Sequence, residues 1–199
     1  KHYDYSADHI RFSVESSLRN LQTDYLDLLL LHRPSPLMDA TTITTTLETL
    51  KKEGKIHDYG VSNFTPSQIQ LLSSSAPIKW NQIQCSLTHT EALTNGELDF
   101  LQASDIGVMA WSPLGSYFKE TNDAQTRIRP LLDQFQKKYS ASEEQLLLAW
   151  LMQHPAGIHP VVGTTQTDRL RTALAAESLS LDLQDWFLLY EASRGHRVA

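Results

Sequence analysis

The sequence predicts an α/β fold built on a parallel sheet. Three observations carry this. Leu28-Leu29-Leu30-Leu31 is an unbroken apolar run closed by the loop signal His32-Arg33-Pro34, the pattern of a strand covered on both faces. Helix-type and strand-type segments alternate about five times along the chain. No two strand segments are joined by a hairpin-type turn, so crossovers through helices must connect them.

The elements follow in order. Ile10, Val14, Leu18 and Leu21 recur at helical spacing, which predicts an amphipathic helix over 8–22. The leucine strand covers 25–31. Thr41 to Glu53 is a helix with Ile43, Leu47 and Leu50 on one face, ended by Gly54. A short strand follows over 56–61. Thr65-Pro66-Ser67-Gln68 opens the next helix, with Thr65 as N-cap, Pro66 in the first turn and Gln68 closing a capping box. Trp80 to Cys85 is a strand, 96–104 a helix, and Gly107 to Trp111 a strand. A looser, glycine-containing loop runs over 113–125. Ser142-Glu143-Glu144-Gln145 is a second capping box, opening a helix to about 153. Ile158 to Val162 is the last strand, and helices over 167–176 and 183–192 close the chain.

The 199 residues suffice for one domain with a real core, and no internal linker or repeat divides them. The net charge of −6, with no basic tract, argues against nucleic acid and anionic membrane as partners. No apolar stretch is long enough to span a bilayer and no signal peptide is visible. Cys85 is the single cysteine, so no internal disulfide forms, and a reducing, cytoplasmic setting is expected. Cys85 itself reads as a small buried apolar residue. The remaining histidines lack metal-ligand spacing, so no metal site is expected; Walker, Gly-x-Gly-x-x-Gly and Gly-x-Ser-x-Gly motifs are absent from the sequence. Nothing in the sequence specifies an oligomeric state.

In parallel α/β folds, chemistry gathers at the carboxyl ends of the strands. The first strand delivers His32 there and the second Ser62-Asn63-Phe64. The third carries Asn81-Gln82. The fourth leads into Ser112-Pro113-Leu114-Gly115-Ser116, and the fifth into Gly163-Thr164-Thr165 and a helix holding Arg169. Glycine-rich backbone and a helix N-terminus suit a phosphate, and the carboxamides and hydroxyls suit an amide-bearing ligand. Each feature has a plainer alternative. His32 reads equally as a loop residue, Ser62 to Phe64 and Ser112 to Gly115 as ordinary turns, Asn81 and Gln82 as satisfied interior groups, Trp111 as core, and Arg169 as half of a surface ion pair. Their recurrence at one end of successive strands favours a site.

Tyr25 to Pro34, Gly54-Lys55-Ile56 through Gly60-Val61-Ser62-Asn63-Phe64, Asn81-Gln82, Trp111 to Ser116 and Pro160 to Thr165 together resemble, in order and spacing, the sequence blocks of the aldo-keto reductases. Arg33-Pro34-x-Pro36-Leu37-Met38-Asp39 resembles the bacterial branch of YdhF-type oxidoreductases within that family. The resemblance implies a (β/α)8 TIM barrel that transfers hydride between NADPH and a small-molecule carbonyl, an aldehyde or ketone. By position, His32 polarises and orients the carbonyl. Ser62, Asn63 and Gln82 hydrogen-bond the nicotinamide carboxamide, and Trp111 stacks on the nicotinamide. Ser112, Pro113, Leu114, Gly115 and Ser116 follow the pyrophosphate, and Gly163, Thr164, Thr165 and Arg169 face the adenosine 2′-phosphate.

The chain also departs from the family pattern. Gly163 stands where many members carry a phosphate-binding lysine, and Thr172 and Ala173 where Glu and Asn hold the adenine, which leaves NADH open as a cofactor. His57 and Tyr59 replace a commoner basic residue and an aliphatic one. The family's Tyr, Lys and Asp, borne on its first three strands, have no counterpart, and Tyr3 and Tyr5 lie in a polar segment unlike a strand. The five strands match strands four to eight. Residues 1–199 therefore read as the carboxyl-terminal part of one barrel domain, and a typical barrel of about 250 residues places further βα units upstream. The competing expectation is a non-catalytic cofactor-binding or interaction module, a truncated paralogue without the catalytic Tyr, Lys and Asp.

Overall fold

The structure is a computed structural model describing residues 2–119 and 121–198. Its elements are α1 Ala7–Leu21, β1 Leu26–Leu31, α2 Ala40–Lys52, β2 Ile56–Ser62, α3 Pro66–Ser73, β3 Trp80–Gln84, α4 Glu97–Ala103, β4 Gly107–Trp111, α5 Asp123–Tyr139, α6 Glu143–Met152, β5 Ile158–Val161, α7 Thr167–Ala175 and α8 Leu183–Arg194. The strands follow the sequential order β1-β2-β3-β4-β5, and the β1/β2 and β2/β3 pairs are parallel. That is the winding of a partial (β/α)8 barrel. Among the described residues no helix is long and apolar enough to cross a membrane.

The chain divides into two compact units. The first comprises Lys1–Ile83 with Asp99–Val108. Its core gathers Val14 of α1, Ile43, Leu47 and Leu50 of α2, and Ile56 and Val61 of β2, all fully buried. The α2 face is the one that helical spacing predicts. In α1 the predicted stripe holds for Ile10 and Val14 but not for Leu21, which is 65% exposed: the helix terminates there, with Gln22 in the left-handed region. The Thr65 capping box forms as expected, the Gln68 amide donating to Thr65 Oγ1 and the Thr65 amide to Gln68 Oε1. Gly60 lets β2 and β3 approach, because a Cβ there would collide with the Trp80 carbonyl. The two departures from the family pattern at β2 find distinct uses. Tyr59 is buried and donates to Glu48 Oε1 of α2 at 2.6 Å, and burial followed by that carboxylate pushes its phenol well above the usual range. His57 stacks on Tyr25 at the surface, ring centroids 4.3 Å apart.

The second unit comprises Gln84–Leu98 with Met109–Ala199. At its centre lies α6, whose residues Leu146 to Leu151 are all buried. The Ser142 capping box forms as expected. Trp150 of α6 and Trp186 of α8 stack at 4.8 Å and exchange hydrogen bonds, each indole donating to the other's backbone carbonyl, at 3.1 and 2.9 Å. The largest departure from the sequence reading is α5. The reading leaves residues from the loop up to Ser142 without an element, yet 17 residues there are helical. Pro130 in the helix interior and a mostly polar surface mask a sparse stripe of Ile128, Leu132 and Phe135, all buried. Asn122 caps the helix, accepting from the Gln125 amide at 2.9 Å.

Candidate functional site

In the first unit the register sets the site's geometry. Leu31 pairs with Val61, Val61 with Asn81, and Ser62 with Gln82. His32, Ser62 and Gln82 therefore stand at one level on three successive strands, spanning roughly 10 Å. The imidazole of His32 is exposed beyond β1, and the Tyr3 ring meets it edge-on, centroids 6.5 Å apart. Residues 2–6 form no strand, as expected. Ser62 is buried and its hydroxyl donates to the Gln82 carbonyl at 3.0 Å. Asn63 occupies the left-handed region at φ +60°, which asparagine tolerates better than most residues. Its backbone amide also donates to the Gln82 carbonyl, at 2.9 Å, and its Nδ2 donates to Ser62 Oγ at 2.7 Å. Asn81, fully buried, donates from Nδ2 to the Phe64 carbonyl at 3.0 Å, which makes it a brace for the turn. Gln82, in the middle of β3, is half-buried.

In the second unit, β4 ends at Trp111 and the chain turns at Ser112 and Gly115, with φ +50° and +56°. The Gly115 amide closes the turn on the Ser112 carbonyl at 2.8 Å, and the Ser116 amide donates to Thr88 Oγ1 at 3.0 Å. A Cβ at Gly115 would run into the hydroxyls of Thr88 and Ser86. This turn walls a cleft of about 470 Å³. Of the residues expected to hold phosphate, Ser112, Pro113, Leu114, Gly115, Gly163, Thr164 and Arg169 line it. Ser116 and Thr165 do not, the Ser116 amide being already taken by Thr88; Trp111, which the resemblance assigns to the nicotinamide, does not line it either. Arg169 lies in the first turn of α7, whose N-cap residue Gln166 makes no side-chain cap, so the first-turn N–H groups keep their donors for an anion.

Five further residues line the cleft without having been expected at a site: Phe118, Lys119, Glu144, Val161 and Val162. Phe118 and Lys119 belong to a loop that reads only as polar, and Glu144 to a helix start that reads only as a capping box. Cys85 is fully buried, and burial followed by the charge of Glu97 pushes its thiol up to about 12, which leaves it unreactive. Among the described residues no group of three or more His, Cys, Asp or Glu side chains could hold a metal.

Parallel βα winding with polar groups at the strand ends defines an α/β protein of the barrel class with its candidate site at that edge. The chain belongs to the Aldo/keto reductase family, whose profile matches residues 1–193. Within it, the chain is similar to bacterial oxidoreductases of the YdhF-like branch. The uncharacterized oxidoreductase YcsN of Bacillus subtilis is 42% identical over 202 residues, covering 99% of this chain and 67% of the relative. A 6-dehydroglucose reductase of Agrobacterium fabrum is 44% identical, covering 100% and 67%. The oxidoreductase YdhF of Escherichia coli is 40% identical, covering 99% and 67%. Among solved structures, a thermostable aldo-keto reductase in complex with the inhibitor epalrestat matches with a TM-score of 0.85 and 26% identity, over 94% of this chain and 67% of that one. The chain thus spans about two thirds of the length of these relatives. Its activity class is that of a carbonyl-reducing oxidoreductase acting with NAD(P)H, and a non-catalytic module is not favoured.

Proposed function

We propose that this chain is the carboxyl-terminal part of a barrel reductase that uses NADP(H), and admits NADH, to reduce an aldehyde or ketone to the alcohol. The observation that carries the reading is the cleft of the second unit. Backbone at Gly115 without room for a side chain and Arg169, from the first turn of α7, both border it, and together they suit a phosphate-bearing ligand. The residues fit the group. When bound, the dinucleotide supplies the hydride. Ser62, Asn63 and Gln82 fix the carboxamide and so the face of the ring presented, which is positioning work. His32 donates to the carbonyl oxygen and draws charge from the carbon that receives hydride. No residue of this chain is assigned as the proton donor.

Tryptophan-fluorescence titration with NADPH, paired with NADPH oxidation in the presence of 4-nitrobenzaldehyde or methylglyoxal, tests the reading. His32→Ala should lower turnover by at least about a hundredfold, the usual worth of a positioned proton-handling group, and leave the NADPH dissociation constant unchanged. Arg169→Ala should weaken NADPH by about tenfold or more, the worth of a guanidinium on a phosphate, and spare NADH. In the intact parent protein, NADPH binding without any carbonyl-dependent oxidation would return the non-catalytic reading, and an unchanged NADPH affinity in Arg169→Ala would remove the phosphate assignment.

A further inference from the structure

The cleft of the second unit holds three ionisable side chains: Lys119, Arg169 and Glu144. Among the described residues none of the three has a side-chain hydrogen-bond or ion-pair partner. Two cations there suit phosphate; the carboxylate does not, and it is not the partner of either cation. Its neighbour Glu143 shows the contrast. That carboxylate accepts from the buried Tyr117 phenol at 2.8 Å, so the first turn of α6 spends one acid on anchoring the loop after β4. The other, half-buried, borders the ligand cleft. A carboxylate in that setting discriminates by charge. It accepts readily from a ribose hydroxyl and repels a phosphate monoester. Gly163, with no side chain, adds no compensating cation to the lining.

We propose that Glu144 is a specificity residue for the adenosine ribose: it accepts from the 2′-hydroxyl of NADH and opposes the 2′-phosphate of NADPH, narrowing the preference for NADPH that Arg169 gives. The inference rests on the cofactor reading above and goes beyond it by assigning the NADH contact to a named carboxylate.

The test is titration of the purified protein with NADPH and with NADH separately, read by quenching of tryptophan fluorescence, for the wild type, Glu144→Gln and Glu144→Asp. Glu144→Gln should tighten NADPH by about fivefold, the size of a screened repulsion across a wet cleft. It should weaken NADH by about threefold as a charge-assisted hydrogen bond becomes a neutral one. Glu144→Asp keeps the charge and should hold the NADH-to-NADPH ratio near the wild-type value, which separates charge from any loss of the α6 start. Equal tightening of both cofactors, or an unchanged ratio in Glu144→Gln, overturns the proposal while leaving the cofactor reading intact. Absence of binding by either cofactor to the wild type overturns the cofactor reading itself.

Discussion

A methyl group at Gly115 has nowhere to go. The backbone there sits at φ +56°, and the Cβ direction points at the hydroxyls of Thr88 and Ser86. Both faults act at once in Gly115→Ala: a left-handed conformation that alanine resists, and an overlap that only backbone movement relieves. The expected loss is about 2–3 kcal/mol of stability, measured by urea unfolding, and a larger proportional loss of NADPH affinity. Thr88→Ala in the same chain removes the main overlap but not the φ penalty, so the double variant should recover part of the stability. At this scale the sequence was readable wherever residue type alone signals chemistry. Histidine, serine, asparagine and glutamine at strand ends announce polar work, and Gly115 announces a turn. Glu144 and Lys119 were unreadable for a physical reason. Glu143 and Glu144 are the same residue type on the same helix turn, and only tertiary placement tells the one that anchors Tyr117 from the one that borders the cleft.

Elements declare themselves through their ends more than through their middles. The Thr65 and Ser142 capping boxes and the apolar face of α2 are local signals, and they formed where the sequence puts them. Helix α5 did not declare itself, because its interior proline and polar exterior argue against a helix locally while long-range contacts hold it. Lys138 reaches Asp182 at 2.6 Å and Asp185 at 2.7 Å, and the Tyr139 phenol donates to Asp185 at 2.5 Å, tying the last turn of α5 to the start of α8. Burial of Asp185 pushes its carboxyl up, but the hydrogen bonds from Lys138 and Tyr139 outweigh this and hold it below the usual range. A carboxyl with a depressed folded pKa contributes stability that is complete above its unfolded value near pH 4. That contribution is lost as pH falls through the lower, folded value. Asp185→Asn should therefore cost about 1 kcal/mol at neutral pH, allowing for screening at the exposed Lys138 end, and the difference from wild type should shrink in acid and vanish once the pH is below the lowered folded value. Urea midpoints across that range check it: a deficit that persists in acid would mean that the carboxylate charge is not what ties α5 to α8.

For the molecule as a whole, the alternation of helix and strand made the parallel winding legible, and the strand-end residues made its functional edge legible. The sheet's boundary was legible only through the resemblance, which matches the five strands to strands four to eight, and not through the leucine run itself. The leucine run reads as a strand covered on both faces, yet β1 stands at an end of the strand order with β2 as its neighbour, and Leu28, Leu29 and Leu30 are only half-buried. Periodicity reports which residues favour apolar surroundings, not whether this chain supplies those surroundings. An apolar terminal strand offers backbone donors and acceptors, together with leucine side chains, to any second strand of similar character. The net charge of −6 opposes association only over about a Debye length, roughly 8 Å at physiological salt, and so does little against edge-to-edge contact. The purified chain should accordingly self-associate as concentration rises through the range of tens to hundreds of µM, about where exposed strand edges become aggregation-prone. Leu28→Lys, which puts a charge on that edge, should suppress the association and leave the phosphate cleft untouched, because Leu28 lies in the first unit and that cleft in the second. Light scattering against concentration, with salt varied, decides the matter: scattering that is equal in the two proteins would show that β1 is not the associating edge, and association abolished by low salt alone would assign it to charge instead.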